Sequence, residues 1–206
     1  MKELSLNVLD IAMNSVKAKA TLINIHITED DTLLKLEIID NGCGMTAEFL
    51  RGVIDPFCTT RTTRKVGLGI PLLKLAAEQT GGEVTISSRH ELEYPAVHGT
   101  HVTATFYKQH IDFTPMGDII STVTTLIQGS PDIDFEFRHK SNTFEVSLDT
   151  RDVREVLGPE IPLSEPEILS WIADNLSEQY INKQKRKDQN YEIFGRSCSY
   201  QREDEG

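Results

Sequence analysis

Four polar residues recur along the first predicted helix at spacings that place them on one ridge. Asn7, Asp10, Asn14 and Lys17 are three, four and three positions apart, and most of the remaining helix surface is apolar. The ridge is either the solvated side of a core helix or a row of groups that face a ligand. For a ligand, the oxygens of Asp10 and Asn14 suit a hard cation such as Mg²⁺, and Lys17 suits a phosphate.

An aspartate continues the apolar face of a predicted strand. Alternation places Asp40 on the same face as Ile38, and the glycine-rich residues 41–45 follow it. The segment is either a tight turn capped by Asp40 or the floor of a pocket. A carboxylate in an apolar pocket needs hydrogen-bond donors, and the exocyclic amine of adenine is a suitable one. Gly42 and Gly44 would let a flat ring approach the backbone.

Residues 55–66 have no apolar period and are rich in threonine and arginine, so they are predicted to form a loop. The loop leads into a Gly-Leu-Gly sequence and a helix, whose free N–H groups and positive dipole end suit phosphate. A flexible surface loop with a glycine turn is the alternative. The spacing excludes a Walker loop and a dinucleotide-binding GxGxxG motif. The candidate phosphate-binding residues are Thr59, Thr60, Arg61, Arg64, Lys65, Gly67, Leu68 and Gly69.

The elements that position these residues follow from the hydrophobic periodicity. Helices are predicted at about 3–19, 46–53 and 68–80, and alternating strands at 23–27, 34–38, 84–86 and 100–106. After residue 110 the pattern restarts with a helix near 119–127, a hairpin over 133–148 with its turn at residues 139–142, and helices at 151–157 and after a capping box at 164–167. This hairpin could extend the first sheet or belong to a small α+β domain of its own.

Charge is spread unevenly along the 206 residues, whose formal net charge is −11. Residues 1–110 carry a net charge of −2 and residues 111–206 carry −9, which argues against nucleic acid as a partner. No apolar run is long enough for a membrane helix, and the N-terminus lacks a secretory pattern. Three cysteines are too few for a disulfide framework or a four-cysteine zinc site, so a reducing cytoplasm is expected. Cys43 and Cys58 flank the proposed pocket, as incidental thiols or as redox-sensitive ones.

Taken in order, these motifs resemble the GHKL superfamily of ATP-binding proteins, which includes gyrase, heat-shock chaperone, histidine kinase and mismatch-repair ATPases. The resemblance covers residues 1–108. LDIAMNSVKAKA is similar to the N box, DNGCGM to the first glycine box, and DPFCTTR to the F box and the start of the ATP lid. VGLGIPLLKLAAEQTGGEVTISS is similar to the second glycine box with its helix and strand, and HGTHVTATF to the last box.

The resemblance implies an α+β fold, a two-layer α/β sandwich of the Bergerat type with a mixed sheet and helices on one face. A smaller C-terminal α+β module is expected beside it. The implied organisation is an ATP-binding domain at 1–110, an acidic module at 111–182 and a polar tail at 183–206, disordered or ordered by a partner.

The resemblance also implies roles for individual residues. Asn14 would bind Mg²⁺, Asp10 would polarise the attacking group, and Lys17 would lie on the phosphate side. Asp40 would read adenine, with Thr100 beside it on the sheet. Two departures stand out: Asp10 is one methylene shorter than the glutamate usual in water-activating ATPases, and Pro71 follows the Gly-Leu-Gly sequence, where it fits a first helical turn. The implied nucleotide-binding residues also include Gly42, Gly44, Met45, Thr59, Thr60, Arg61, Lys65, Gly67, Leu68 and Gly69.

The implied relatives are stand-alone histidine kinase catalytic domains and anti-sigma-factor serine kinases, because the chain starts at the N box and no phosphoacceptor histidine is expected ahead of it. The resulting hypothesis is a cytoplasmic, Mg·ATP-dependent protein kinase or ATPase that transfers the γ-phosphoryl group to a protein or to water. Alternatives are a nucleotide-gated interaction switch with little turnover and a mismatch-repair-like ATPase. Expected partners are ATP, a protein that docks on residues 111–182, and a second copy in a homodimer, with no nucleic acid and no membrane.

Overall fold

A single mixed sheet of six strands organises the chain. The computed structural model describes residues 3–54, 68–158 and 160–181, with the backbone alone at residue 54. The strands are β1 (Leu22–Glu29), β2 (Leu33–Asp40), β3 (Val84–Arg89), β4 (Gly99–Tyr107), β5 (Asp134–Ser141) and β6 (Glu145–Asp149). The helices are α1 (Leu4–Lys17), α2 (Ala47–Ile54), α3 (Gly69–Gln79), α4 (Ile119–Gly129), α5 (Thr150–Leu157) and α6, which covers 166–181.

The order of the strands across the sheet is β3-β4-β2-β1-β5-β6. β5 pairs with β1 in parallel, whereas the other neighbouring strands are antiparallel. The C-terminal hairpin therefore extends the first sheet and does not form a separate sheet.

Period-2 alternation gives the sheet one apolar and one polar face. Residues such as Ile25 and Leu36 are buried on the apolar face, where α1, α3, α4, α5 and α6 pack into the same core. His26, Glu37 and His101 lie on the opposite face. There, Glu37 Oε1 lies 3.2 Å from His101 Nε2. The predicted fold class, an α+β sandwich with a mixed sheet and helices on one face, is confirmed.

Local sequence explains where the helices that frame the sheet begin and end. Apolar residues at spacings of three and four give α1 its buried side. Pro71 lies in the first turn of α3, where a missing N–H costs nothing, and Gly81 follows the helix with φ +80°. Asp118 begins α4 by accepting a hydrogen bond from the Ser121 N–H at 2.8 Å.

The hairpin turn lies further along the chain than the predicted residues 139–142. Residues 139–141 belong to β5, because they pair with residues 27–29 of β1, and polar side chains do not prevent this pairing. The outer edge of β6 is covered by Gln179 of α6, whose side-chain amide exchanges two hydrogen bonds with the backbone of Ser147. In the described ranges, no helix combines the length and the hydrophobicity needed to cross a membrane.

An ionic cluster, half-buried except at the buried His139, lies at the carboxyl end of β1. Glu29 Oε2 accepts a hydrogen bond from Lys108 Nζ at 2.6 Å, and Oε1 lies 3.3 Å from His139 Nε2. This second approach is an ion-pair contact rather than a well-aligned hydrogen bond. The other ring nitrogen of His139 lies 2.8 Å from the hydroxyl of Tyr180. The cluster therefore fastens α6 to the sheet.

Candidate functional site

A cavity of about 400 Å³ lies beside the carboxyl end of β2, between α1, α2 and the start of β4. Its volume falls in the range of small-molecule sites. Seven of the residues that the sequence singles out line it: Asn14, Lys17, Asp40, Cys43, Gly44, Met45 and Thr100.

Asp40 is the buried carboxylate of this cavity, with 9% of its surface exposed. Its Oδ2 accepts a hydrogen bond from Ser15 Oγ at 2.6 Å. Its Oδ1 accepts from the backbone N–H groups of Gly42 at 2.9 Å and Thr100 at 3.2 Å. All three donors are neutral, and no cation forms an ion pair with Asp40 within the described part of the chain. Because two carboxylate oxygens accept about four hydrogen bonds, Asp40 keeps acceptor capacity toward the cavity.

The glycines after Asp40 are required by the close approach of other backbone segments. Gly44 has φ +67°, and a Cβ there would lie 1.9 Å from the carbonyl oxygen of Arg89. A Cβ on Gly42 would lie 2.7 Å from the carbonyl oxygen of Ala18. The glycine-rich turn is thus wedged between the end of α1 and the end of β3.

The polar residues of α1 do not form one solvated ridge. Asn14 and Lys17 line the cavity, half-buried and exposed respectively, whereas Asn7 is fully buried. The amide of Asn7 has no hydrogen-bond partner among the residues that the structure describes. Asp10 is exposed and lies against the start of α3, since a Cβ on Gly69 would be 3.1 Å from the Cβ of Asp10.

The proposed phosphate loop is only partly within the described ranges. Leu68, 72% exposed, precedes α3, and Gly69 is its first residue. The other loop candidates, and Cys58, lie outside the described residues: Thr59, Thr60, Arg61, Arg64, Lys65 and Gly67.

Three polar residues at or beside the cavity are absent from the sequence-based prediction: Ser15, Ser88 and His98. Ser15 lies at a buried position of the α1 pattern, where a hydroxyl is a detectable signal of a polar partner. Ser88 Oγ accepts a hydrogen bond from the Met45 N–H at 2.8 Å and lies 2.9 Å from Thr100 Oγ1. His98 ends a loop without periodicity, so no sequence pattern indicates its contact with Gly42.

A divalent cation at this cavity would need oxygens from its ligand as well as from the protein. Within the described ranges, no group of three or more His, Cys, Asp or Glu residues is arranged to hold a metal. Asn14 offers one amide oxygen at the cavity wall. Such a donor set fits Mg²⁺, which keeps several waters and commonly takes its remaining ligands from substrate phosphates.

A mixed sheet with helices on one face, and a cavity at the glycine-rich end of a central strand, define a GHKL-type ATP-binding domain. The model of the family described as "Histidine kinase-, DNA gyrase B-, and HSP90-like ATPase" matches residues 1–110. The chain belongs to this family, whose domains bind ATP.

A curated relative is similar to less than half of the chain. A protein of Shewanella frigidimarina (strain NCIMB 400), named as a sensor protein, is 29% identical over 89 residues, which make up 43% of this chain and 14% of that protein. The chain thus matches a small part of this relative's length.

Three solved structures are similar to this chain at low sequence identity. The MutL ATPase domain of Aquifex aeolicus complexed with ADP is 16% identical, with a TM-score of 0.49 over 76% of this chain and 69% of that one. The N-terminal domain of a DNA repair protein is also 16% identical, with a TM-score of 0.49 over 77% and 58%. The mycobacterial sensor histidine kinase MprB is 20% identical, with a TM-score of 0.36 over 49% and 69%.

Proposed function

We propose that the chain binds Mg·ATP in the cavity at Asp40 and transfers the γ-phosphoryl group to a protein acceptor or to water. The observation that carries this proposal is the state of Asp40: a buried carboxylate held by three neutral donors, with acceptor capacity left toward a cavity of about 400 Å³. An exocyclic amine is the complementary ligand group, because it brings a hydrogen-bond donor without a charge.

Two features at or near the cavity are suited to phosphates. Lys17 supplies a cation at the cavity wall, and the N-terminus of the 11-residue helix α3 supplies a positive dipole end near Asp10. Asn14 would hold Mg²⁺, which when bound neutralises charge on the transferring phosphoryl group. The proposed lid residues Thr59, Thr60, Arg61, Lys65 and Gly67 would cover the phosphates.

Asp10 is the proposed catalytic residue. Its exposed carboxylate beside the start of α3 can accept a proton from an acceptor hydroxyl or orient a water. The acceptor would be a serine or a histidine on another protein, in the reducing cytoplasm.

Replacement of Asp40 by asparagine tests the binding site. Asparagine can still accept hydrogen bonds from Gly42 and Thr100, but its amide presents a donor to the adenine amine. We expect ATP affinity to fall by about 1–3 kcal/mol, measured by calorimetry. Glu37→Gln, on the opposite face of the same strand, is the matched control and should bind normally. Equal affinities in the two variants would refute the adenine assignment.

A second candidate function is a nucleotide-gated interaction switch with little turnover. The acidic C-terminal surface favours it: residues 145–181 contain nine Asp or Glu residues and two Arg residues. Both arginines are engaged in ion pairs, Arg151 with Asp149 and Arg154 with Asp134. This surface is suited to a basic protein partner. Nucleotide at 1,000 times its dissociation constant would stabilise the bound state by about 4 kcal/mol, enough for such a switch.

Steady-state turnover of Asp10→Ala separates the two functions. A kinase or ATPase should lose turnover in this variant while ATP binding is retained. Equal, very low turnover in wild type and variant would instead support the switch. Turnover stimulated by DNA would favour the third alternative, a mismatch-repair-like ATPase, which the acidic second half of the chain argues against.

A further inference from the structure

The loop of residues 90–98, between β3 and β4, reaches back onto the glycine-rich turn. At one end of the loop, the Glu91 N–H donates to the Cys43 carbonyl at 2.9 Å. At the other end, His98 Nδ1 lies 2.6 Å from the carbonyl oxygen of Gly42. A carbonyl oxygen can only accept, so Nδ1 carries the hydrogen and donates it.

This contact restrains the residue that orients Asp40. The Gly42 N–H donates to Asp40 Oδ1 at 2.9 Å, while the Gly42 carbonyl accepts from His98. The same Gly42–Cys43 peptide group is also held from α1, because the Cys43 N–H donates to the Ala18 carbonyl at 2.8 Å. Glycine has the widest choice of backbone conformations of any residue, so its orientation here depends on such partners.

The loop has little apolar packing that would hold it in place without these bonds. Its larger apolar side chains are mostly exposed: Leu92 by 84%, Val97 by 63% and Tyr94 by 50%. The loop is therefore attached to the turn chiefly through directional hydrogen bonds. Among the described residues of the loop, His98 is the one whose side chain bonds to the glycine-rich turn.

We propose that His98 is a positioning residue of the nucleotide site. It does not line the cavity and acts through Gly42, keeping the Gly42 N–H directed at Asp40 and the Asp40 carboxylate directed at the adenine amine. The inference rests on the proposed function, since it concerns how the same site holds its nucleotide.

The experiment compares His98→Ala, His98→Asn and the control His90→Ala in calorimetric titrations with ATP, ADP and AMP. The side-chain amide of asparagine can donate from nearly the same place as Nδ1, and His90 lies at the other end of the same loop. We expect His98→Ala to weaken all three nucleotides by the same factor, about fivefold to tenfold. His98→Asn should restore affinity to within about twofold, and His90→Ala should leave it unchanged.

A role limited to stability would give a different result. In that case His98→Ala would lower the melting temperature and leave the affinities unchanged well below that temperature, which would overturn the proposal. Wild type that fails to bind any of the three nucleotides would refute the proposed function itself, and the role of His98 with it.

Imidazole ¹⁵N NMR of the wild-type protein provides a measurement that does not depend on the folding of a variant. The proposal requires a protonated Nδ1 on His98 before and after ATP is added. An unprotonated Nδ1 in the ATP complex would overturn it.

Discussion

Two carboxylates, the buried Asp40 and the half-buried Glu29, lie at opposite ends of the central antiparallel pair of strands. Asp40 ends β2 opposite Ile23, and Glu29 ends β1 opposite Leu34. Asp40 is held by a hydroxyl and two backbone N–H groups, whereas Glu29 contacts the Lys108 ammonium and His139. Both groups are satisfied, but within the described chain only Glu29 forms an ion pair with a lysine, Lys108.

The difference separates a structural carboxylate from a binding one. Contact with His139, and then with Lys108, lowers the pKa of Glu29 to about 2 against the opposing effect of burial. Burial, and next the Glu29 charge, raise the pKa of the Tyr180 hydroxyl at the far side of His139. Glu29 thus uses its carboxylate oxygens in contacts that hold α6 to the sheet, whereas the Asp40 carboxylate remains available to a ligand.

The largest expected effect is on stability, at the Glu29 end. Glu29→Gln leaves Lys108 and the buried His139 without their carboxylate, and should lower the free energy of unfolding by about 2–3 kcal/mol. ATP affinity should not change. Urea denaturation and calorimetry at pH 7 measure the two quantities. A variant that unfolds like wild type but binds ATP more weakly would reverse the assignment of the two carboxylates.

Lowering the pH should remove the stabilisation that Glu29 provides. The pKa of Glu29 is depressed in the folded state from 4.5 to about 2, so its stabilisation is complete above about pH 4.5 and is lost as the pH falls toward 2. The loss should reach about 2 kcal/mol in wild type and be absent from Glu29→Gln. Urea denaturation at several pH values between 5 and 2 tests this, and parallel curves for the two proteins would contradict it.

The smallest expected effect is at the Asp40 end. Ser15→Ala removes the donor to Asp40 Oδ2 and should weaken ATP binding by about 1 kcal/mol. Ser5→Ala is the matched control, because Ser5 is also buried on α1 but contacts Glu3 rather than Asp40. Equal ATP affinities of the two variants would show that Asp40 does not depend on Ser15.

Periodicity and turn chemistry predict most of the elements and the position of Asp40 at the end of a strand. The α1 pattern, the alternation that places Asp40 on the apolar face, and the predicted helix at about 68–80 are local signals, and the structure agrees with each. The pairing of Thr100 with Asp40 follows from the family resemblance and is present in the sheet.

Other features depend on distant contacts that local patterns do not encode. The alternation in β5 is equally compatible with an edge strand of the first sheet and with a separate hairpin, and the partner strand β1 decides between them. His98 and Ser88 act through backbone groups of the glycine-rich turn, so their residue types alone do not reveal their partners.

The parallel pairing of β1 with β5 has a consequence for how the chain folds. Leu22 pairs with Asp134, 112 positions later, so closing this ladder costs more chain entropy than closing the β1–β2 hairpin. We expect the β1–β5 ladder to form late, after the antiparallel strands. A fragment that ends at residue 110 would leave the hydrogen-bonding edge of β1 open to other chains. In this protein, the smallest piece that resists aggregation should therefore extend beyond the recognisable family motifs.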